Sequence, residues 1–442
     1  MIRKITLLLT ATLLTMGSMA QLTFTRVWER SDSAFQVSAA DANKKPSYFN
    51  DMNTRGIAVG TINSNSGKVD RVFLPSRNAE GNVVRVLDAT TGADIKSLNM
   101  TGVSGGGFII SDAGMTEDGV LLVSNCTHSS SGPFKIYKWT NEDEPPTVEI
   151  SFPSGAARYG DKITVTGKYS DGTARIYTIA GAALSNYKVQ YFAMEQDGGV
   201  WKFKQTPDEL NTAITAVSSN FHHFTPGPDN GYYFRSVGLN NFQQIKADLT
   251  ANIGNTHPTT IAQGSTVPVF IKSVGNFDYA CYLRYGSHAT FAKPAVNQAE
   301  VVKIDRSQGI SSAVVTAATP SFGNLAPGNG AGHVVVKHMP TGDADIYILS
   351  TQNGIARYRL SGSEIGTGIS DPKGAGISIR VLDGELTVEG TQNTGIRIYT
   401  TSGQLIAERE NATTLNVQQL KGLYIVQITD SKNLIKTQKI TL

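Results

Sequence analysis

Cysteine is almost missing from this chain of 442 residues, with Cys126 and Cys281 the two present. Without a CxxC pair, zinc ribbons and dithiol redox motifs are excluded. HExxH, a phosphate-cradling glycine loop and a G-x-S-x-G nucleophile elbow are also missing. Asp343-Ala344-Asp345 is the nearest approach to a calcium loop, and it has no downstream Glu. The expected catalytic, metal and cofactor sets are therefore empty. Charge of one sign is lacking too. With 39 basic against 36 acidic residues and a net charge of +3, no nucleic-acid partner is expected. Helical periodicity is nearly absent, and beyond the first twenty residues no apolar run could span a membrane.

Those first twenty residues read as a secretory signal. Arg3 and Lys4 form a basic start, Ile5 to Met16 an apolar stretch, and Ser18-Met19-Ala20 a small-x-small cleavage site. Export permits a disulfide. The expectation is nevertheless two buried free thiols, because Cys126 and Cys281 fall on units that lie far apart in the arrangement below.

What is abundant is glycine, at 44 copies, and short β-branched runs closed by turn signals. The stretch from Gly107 to Ser151 gives four such runs, with a tight Glu117-Asp118-Gly119 turn between the first two. One sheet of this size cannot bury both faces alone, so it needs copies of itself on either side. Similar stretches begin near Thr54, Gly105, Gly160, Thr212, Ser265 and Phe322, roughly 50–57 residues apart. Third-strand candidates are 83–92, 134–140, 188–194, 242–249, 300–306 and 355–362. The sixth copy runs out after its third strand, and residues 22–30 (LTFTRVWER) supply the missing fourth. The predicted fold is all-β: a six-bladed, or seven-bladed, β-propeller closed by the N-terminal strand, then a small C-terminal β-sandwich. The boundaries are 1–20 signal peptide, 21–362 propeller, 363–375 linker and 376–442 sandwich.

The last segment shows clean alternation and carries Leu386-x-Val388-x-Gly390, Ile396-x-Ile398, Ser402-Gly403, Gly422-x-Tyr424-x-Val426-x-Ile428 and Lys439-Ile440. In this order and spacing it resembles the C-terminal sorting domain of the type IX secretion (Por) system of certain Gram-negative bacteria. The resemblance covers 371–442. It implies export across the outer membrane, the secretion machinery as a partner, and a secreted or cell-surface location. It implies the periplasm where that machinery is absent. The strand-turn-strand VVRVLDATTGADIKSL (83–98) resembles quinoprotein-type and surface-layer propeller repeats. Residues 22–362 resemble an uncharacterised propeller family of gut and oral bacteria that implies a fold and no chemistry.

Turn carboxylates at Glu117, Asp118, Asp171, Asp229 and Asp343 recur in equivalent turns, which points to backbone chemistry rather than acid catalysis. His222-His223 reads as a turn-flanking pair. His333 and His338 are expected on opposite faces of one strand. The links on one rim of the propeller hold Tyr48, Phe49, Arg77, His128, Arg158, Tyr159, His288, Phe291 and Phe322. Aromatic faces and arginine forks suit sugars or peptide side chains. These nine residues are the expected ligand-binding set, for non-catalytic recognition of an extracellular glycan or protein. The alternatives are a propeller lyase or glycosidase, which needs acidic, His, Tyr or Arg groups converging in the channel mouth, and a structural cell-envelope protein.

Overall fold

The computed structural model describes residues 22–31, 45–78, 81–181, 187–210, 223–235, 243–247, 266–284, 297–321, 323, 325, 332–339, 342–362, 365, 378–382, 384–389, 394–400, 404–430 and 433–441. The secretory signal reading and the rim residues His288, Phe291 and Phe322 lie outside them.

Among the described residues the chain is all-β and nearly without helix. It opens with β1 (Thr23–Ser31). A first sheet follows, made of β2 (Ala58–Ser64), β3 (Gly67–Asn78), β4 (Gly81–Asp88) and β5 (Asp94–Ser97). A second holds β6 (Phe108–Met115), β7 (Leu121–Cys126), β8 (Phe134–Trp139) and β9 (Thr147–Phe152). A third holds β10 (Ile163–Thr166), β11 (Arg175–Gly181), β12 (Tyr187–Asp197), β13 (Val200–Phe203) and β14 (Asp208–Leu210). The fourth is β15 (His223–Pro226), β16 (Tyr232–Arg235) and β17 (Gln243–Ile245). The fifth is β18 (Val269–Val274), β19 (Phe277–Arg284), β20 (Gln298–Asp305) and β21 (Val314–Ala318). A sixth sheet contains β22 (Gly332–His338), β23 (Ala344–Ser350) and β24 (Gly354–Ser361), and its fourth strand is β1. Pairing is antiparallel, from Thr23 opposite Ser361 to Ser31 opposite Gly354.

Most second strands are buried over nearly their whole length, β3 only from Val72 to Ser76, and the packing explains why. β7 (LLVSNC) and β23 (ADIYILS) are buried at every position, covered on both faces by neighbouring sheets. Outer strands such as β5 and β9 carry exposed residues. The hydrophobic clusters fall between successive sheets. Phe73 and Val86 pack on Leu121 and Trp139. Leu122 and Ile136 pack on Ile176 and Phe192. Tyr177 and Val189 meet Phe224 and Phe234, Tyr233 meets Tyr282 and Val302, and Cys281 and Val301 meet Ile346 and Tyr358. A further cluster joins the last sheet to the first, through Trp28, Tyr347 and Leu349 against Leu74, Leu87 and Ala89. Trp28 donates its indole N–H to the Ala89 carbonyl at 3.0 Å. Its ring lies over Gly92, whose φ is +75° and where a Cβ would sit 2.6 Å from the indole.

Cys126 and Cys281 are free and fully buried. Burial pushes both thiols well above the ordinary range, so neither is a ready nucleophile. The Asp118 turn forms as expected, with Gly119 at φ +93°. Burial works against the Asp118 charge. Hydrogen bonds from Thr116 and from the backbone of Tyr169 and Ser170 outweigh it and hold the carboxyl at about 2. The residue ties one sheet to the next.

The C-terminal residues form two sheets. One contains β25 (Ser378–Leu382), β26 (Glu385–Glu389) and β29 (Thr414–Asn416). The other contains β27 (Thr394–Thr400), β28 (Leu405–Arg409), β30 (Leu423–Asp430) and β31 (Asn433–Thr441). The apolar residues of the sorting motif are their shared core: Leu386, Val388, Ile396, Ile398, Val426 and Ile428.

Trp28 is one of the side chains that fasten β1 to the first full sheet, beside Arg30, which donates to the Gly92 carbonyl at 2.9 Å and pairs with Asp94. Trp28→Ala is expected to lower unfolding free energy by about 3–5 kcal/mol, measured by urea titration. A loss below about 1 kcal/mol would remove Trp28 from that role.

Candidate functional site

The first strands of the six sheets follow one another side by side: β2 contacts β6, β6 contacts β10, β10 contacts β15, β15 contacts β18, β18 contacts β22, and β22 contacts β2. They enclose a cavity of about 240 Å³ whose wall is mostly aliphatic, with Ile57, Val59, Met115, Val165, Val269 and Val335 among its residues. Polar groups gather where these strands begin. Arg55 precedes β2, Asp112 lies in β6, Lys162 immediately precedes β10, and His223 and His333 lie at the starts of β15 and β22. All five are buried.

Asp112 is the centre of this group. Its Oδ2 accepts the Ile163 backbone N–H at 2.9 Å and lies 3.6 Å from His333 Nε2, while Oδ1 is 3.8 Å from Lys162 Nζ. Burial opposes the charge, but Lys162 and His333 outweigh it and keep the carboxyl below the usual range. Burial brings Lys162 down to about 8, against the pull of Asp112, and its ammonium donates to the Arg55 carbonyl at 2.7 Å. The imidazoles of His223 and His333 stand with centroids 5.1 Å apart. Thr164 gives its hydroxyl proton to the Phe224 carbonyl. His223 therefore donates from Nε2 to Thr164 Oγ1 at 3.3 Å, leaving Nδ1 as a buried acceptor with no partner among the described residues. The sequence reading put His223 in a turn-flanking pair, whereas the fold places it in the channel against His333.

Just outward lies a second group, built around Phe108 at the start of β6. The Arg77 guanidinium lies over the Phe108 ring at 3.9 Å, with those of Arg55 at 5.4 Å and Arg158 at 5.9 Å. His128 meets the same ring at 5.5 Å. Arg158 pairs with Asp161 through two nitrogens, and Arg55 reaches the same carboxylate at 3.4 Å. Gly160, between Arg158 and Asp161, makes this return possible. Its φ is +80°, and a Cβ there would lie 2.0 Å from the Asn125 carbonyl oxygen. Asp161 stays ionised: burial opposes its charge, but Arg158 and Arg55 prevail. Burial, reinforced by the neighbouring Arg55 charge, pushes Arg77 down to about 10.

Of the nine rim residues expected from sequence, Arg77, His128 and Arg158 come together here. Tyr48 and Phe49 do not offer ligand-facing rings. The turn at Ser47–Phe49 buries both in the core between the last and first sheets, with the Tyr48 hydroxyl donating to Asp94 at 2.8 Å. Tyr159 is also buried, against Phe134 and Phe152, and donates to Gln190 at 2.7 Å. Burial pushes its phenol up to about 12. Arg55, Phe108, Asp112, Asp161 and Lys162 escaped the sequence reading. One signal was available: an ionisable residue precedes or opens four of the six inner strands, Arg55 before β2, Lys162 before β10, His223 in β15 and His333 in β22. Among the described residues no group of three or more His, Cys, Asp or Glu converges as a metal site. No helix among them is long and apolar enough to cross a membrane.

Burial holds the pKa of His223 and His333 below the ordinary imidazole value, and the nearby Lys162 charge adds to it. The unfolded chain takes up these protons near pH 6.5 and the folded chain resists them. Stability from this pair is thus complete above about pH 6.5 and declines as pH falls below it, by up to about 1.4 kcal/mol per imidazole per pH unit. Urea titrations at pH 7.5 and 5 should show this decline, and His223→Gln with His333→Gln should flatten it. An unchanged slope in the double variant would contradict the assignment.

Residues 382–442 match the family described as a secretion system C-terminal sorting domain. No curated protein matches the chain. Among solved structures, a DUF4623 family protein from Bacteroides eggerthii is similar at 16% identity and a TM-score of 0.53, over 72% of this chain and 73% of that one. A protein of unknown function from Dyadobacter fermentans is similar at 12% identity and a TM-score of 0.43, over 77% of this chain and 99% of that one. A thermostable family-43 glycoside hydrolase is similar at 13% identity and a TM-score of 0.31, over 66% and 96%. The first likeness concerns the fold alone, and the other two are too distant to bear on function. The chain thus carries a C-terminal sorting domain of the Por type, and the protein is exported, to be secreted or held at the outer cell surface.

Proposed function

We propose that this exported protein is a non-catalytic recognition module. Residues 21–362 form a six-bladed propeller closed by β1, residues 363–375 link it to the sorting sandwich at 376–442, and one rim binds an extracellular glycan or protein. The unbroken succession of inner strands and of inter-sheet cores supports the ring. A ring has no exposed first or last sheet and so presents a rigid rim. The observation that carries the binding assignment is the gathering about Phe108 of Arg77 from the end of β3, His128 from the link after β7 and Arg158 from the link between β9 and β10, each side chain half-buried and open to solvent.

An enzymatic reading has one observation in its favour, the convergence of Asp112, Lys162 and His333 at the channel mouth. Recognition is the better reading. Asp112 is fully buried and held by Lys162 and the Ile163 N–H, so a substrate cannot reach it. The cavity wall beyond is aliphatic.

Glycan arrays and pull-downs from extracellular extracts should yield ligands for the full chain. Arg77→Ala should weaken capture by about tenfold or more while far-UV circular dichroism stays unchanged. Empty screens, or capture indifferent to Arg77→Ala, would overturn the rim assignment. Turnover of a captured glycan, abolished by Asp112→Asn, would instead establish the enzyme.

A further inference from the structure

Building on that recognition reading, we propose that the site around Phe108 binds the carboxylate of an acidic sugar, a hexuronate unit of an extracellular glycan. Three guanidinium groups, of Arg55, Arg77 and Arg158, surround one ring; Asp161 pairs with Arg55 and Arg158, whereas it and Asp51 act on Arg77 only through longer-range charge. Arg158 occupies both oxygens of Asp161. Arg77 has no ion-pair partner among the described residues, and its Nε is buried without a hydrogen bond.

A guanidinium stays charged even when desolvated. The face of Phe108 compensates only in part, since a cation–π contact is worth about 0.5–2 kcal/mol. A half-buried cation beside another arginine is therefore incomplete until an anion arrives. The planar fork of arginine matches a carboxylate in two-point geometry.

The neighbouring groups favour a sugar as the carrier. The ring nitrogens of His128 hydrogen-bond to none of the described residues, and the ring is held against Gly107, where a Cβ would lie 2.2 Å from Nε2. An imidazole can donate to or accept from a hydroxyl. A guanidinium beside an imidazole therefore suits adjoining carboxylate and hydroxyl groups, as on a uronate ring. A peptide usually adds along an unpaired strand edge. This site lies instead at strand ends and in links, with Arg77 next to last in β3 and already paired with Asn82, Phe108 the first residue of β6 and Arg158 between β9 and β10.

The test uses the full chain in isothermal titration with trigalacturonate, its methyl ester and a Glu-rich peptide. Trigalacturonate should bind, and its ester at least about tenfold more weakly. Affinity should fall as salt rises from about 0.05 to 0.5 M. Arg77→Met should weaken uronate binding by about tenfold or more, with a melting temperature equal to or above that of the parent, because an unpaired cation has been removed. A lowered melting temperature with unchanged uronate binding would make Arg77 structural and overturn the inference. Equal binding of acid and ester, or preference for the peptide, would also overturn it. A neutral sugar found on an array and lost in Arg77→Ala would overturn the uronate assignment while leaving recognition at this rim intact. Arrays and pull-downs empty of any ligand would remove both.

Discussion

The ladder between β1 and β24 joins residues more than three hundred positions apart, and the rest of the body depends on it. Each sheet is too small to cover its own faces. Most second strands are buried over nearly their whole length, which is tolerable only when a neighbouring sheet lies on each side. Five of the inter-sheet cores join neighbours in sequence. The sixth joins the last sheet to the first, and Trp28, which β1 contributes, lies in it. Without β1 the last sheet would expose a strand edge, and Tyr347 and Leu87 would lose a shared partner.

The same arrangement accounts for the placement of charge. Inner strands start at one end of the cavity, so whatever precedes them in sequence meets there. The cavity wall is aliphatic and its head is ionic. Asp112, Asp161, Lys162 and Arg55 are buried charges, which are tolerated when each meets an opposite charge or a backbone group. Arg77 breaks that pattern, held by an aromatic ring in place of an acid. Proteins violate local rules mainly where function requires it, and that makes this position the most informative on the surface.

Much of the fold was legible because its signals are local. Turn glycines such as Gly119, the β-branched runs and the alternation of the sorting motif each act within a few residues. The partner of β1 was also legible, since a last sheet short of a strand demands one. The site was legible in part. Arg77, His128 and Arg158 were named because the sequence reads their stretches as links that share a rim, although Arg77 lies at the end of β3. Tyr48 and Phe49 share that rim in sequence, yet a single turn directs them into the core. Phe108 and Arg55 went unnoticed because an aromatic at the head of a strand and an arginine before an apolar run are ordinary features. The meeting of His223 with His333 depends on two inner strands starting at one level, which periodicity does not encode.

The most direct test of closure is a covalent one. Thr23→Cys with Ser361→Cys places thiols on partnered positions at the end of the β1–β24 ladder, within disulfide reach. The two native cysteines are buried and out of the way. The account predicts an intramolecular bond under mild oxidation, identified by peptide mass spectrometry, and a gain in unfolding free energy of about 3–5 kcal/mol. Thiols that stay reduced, or that link separate molecules instead, would contradict it.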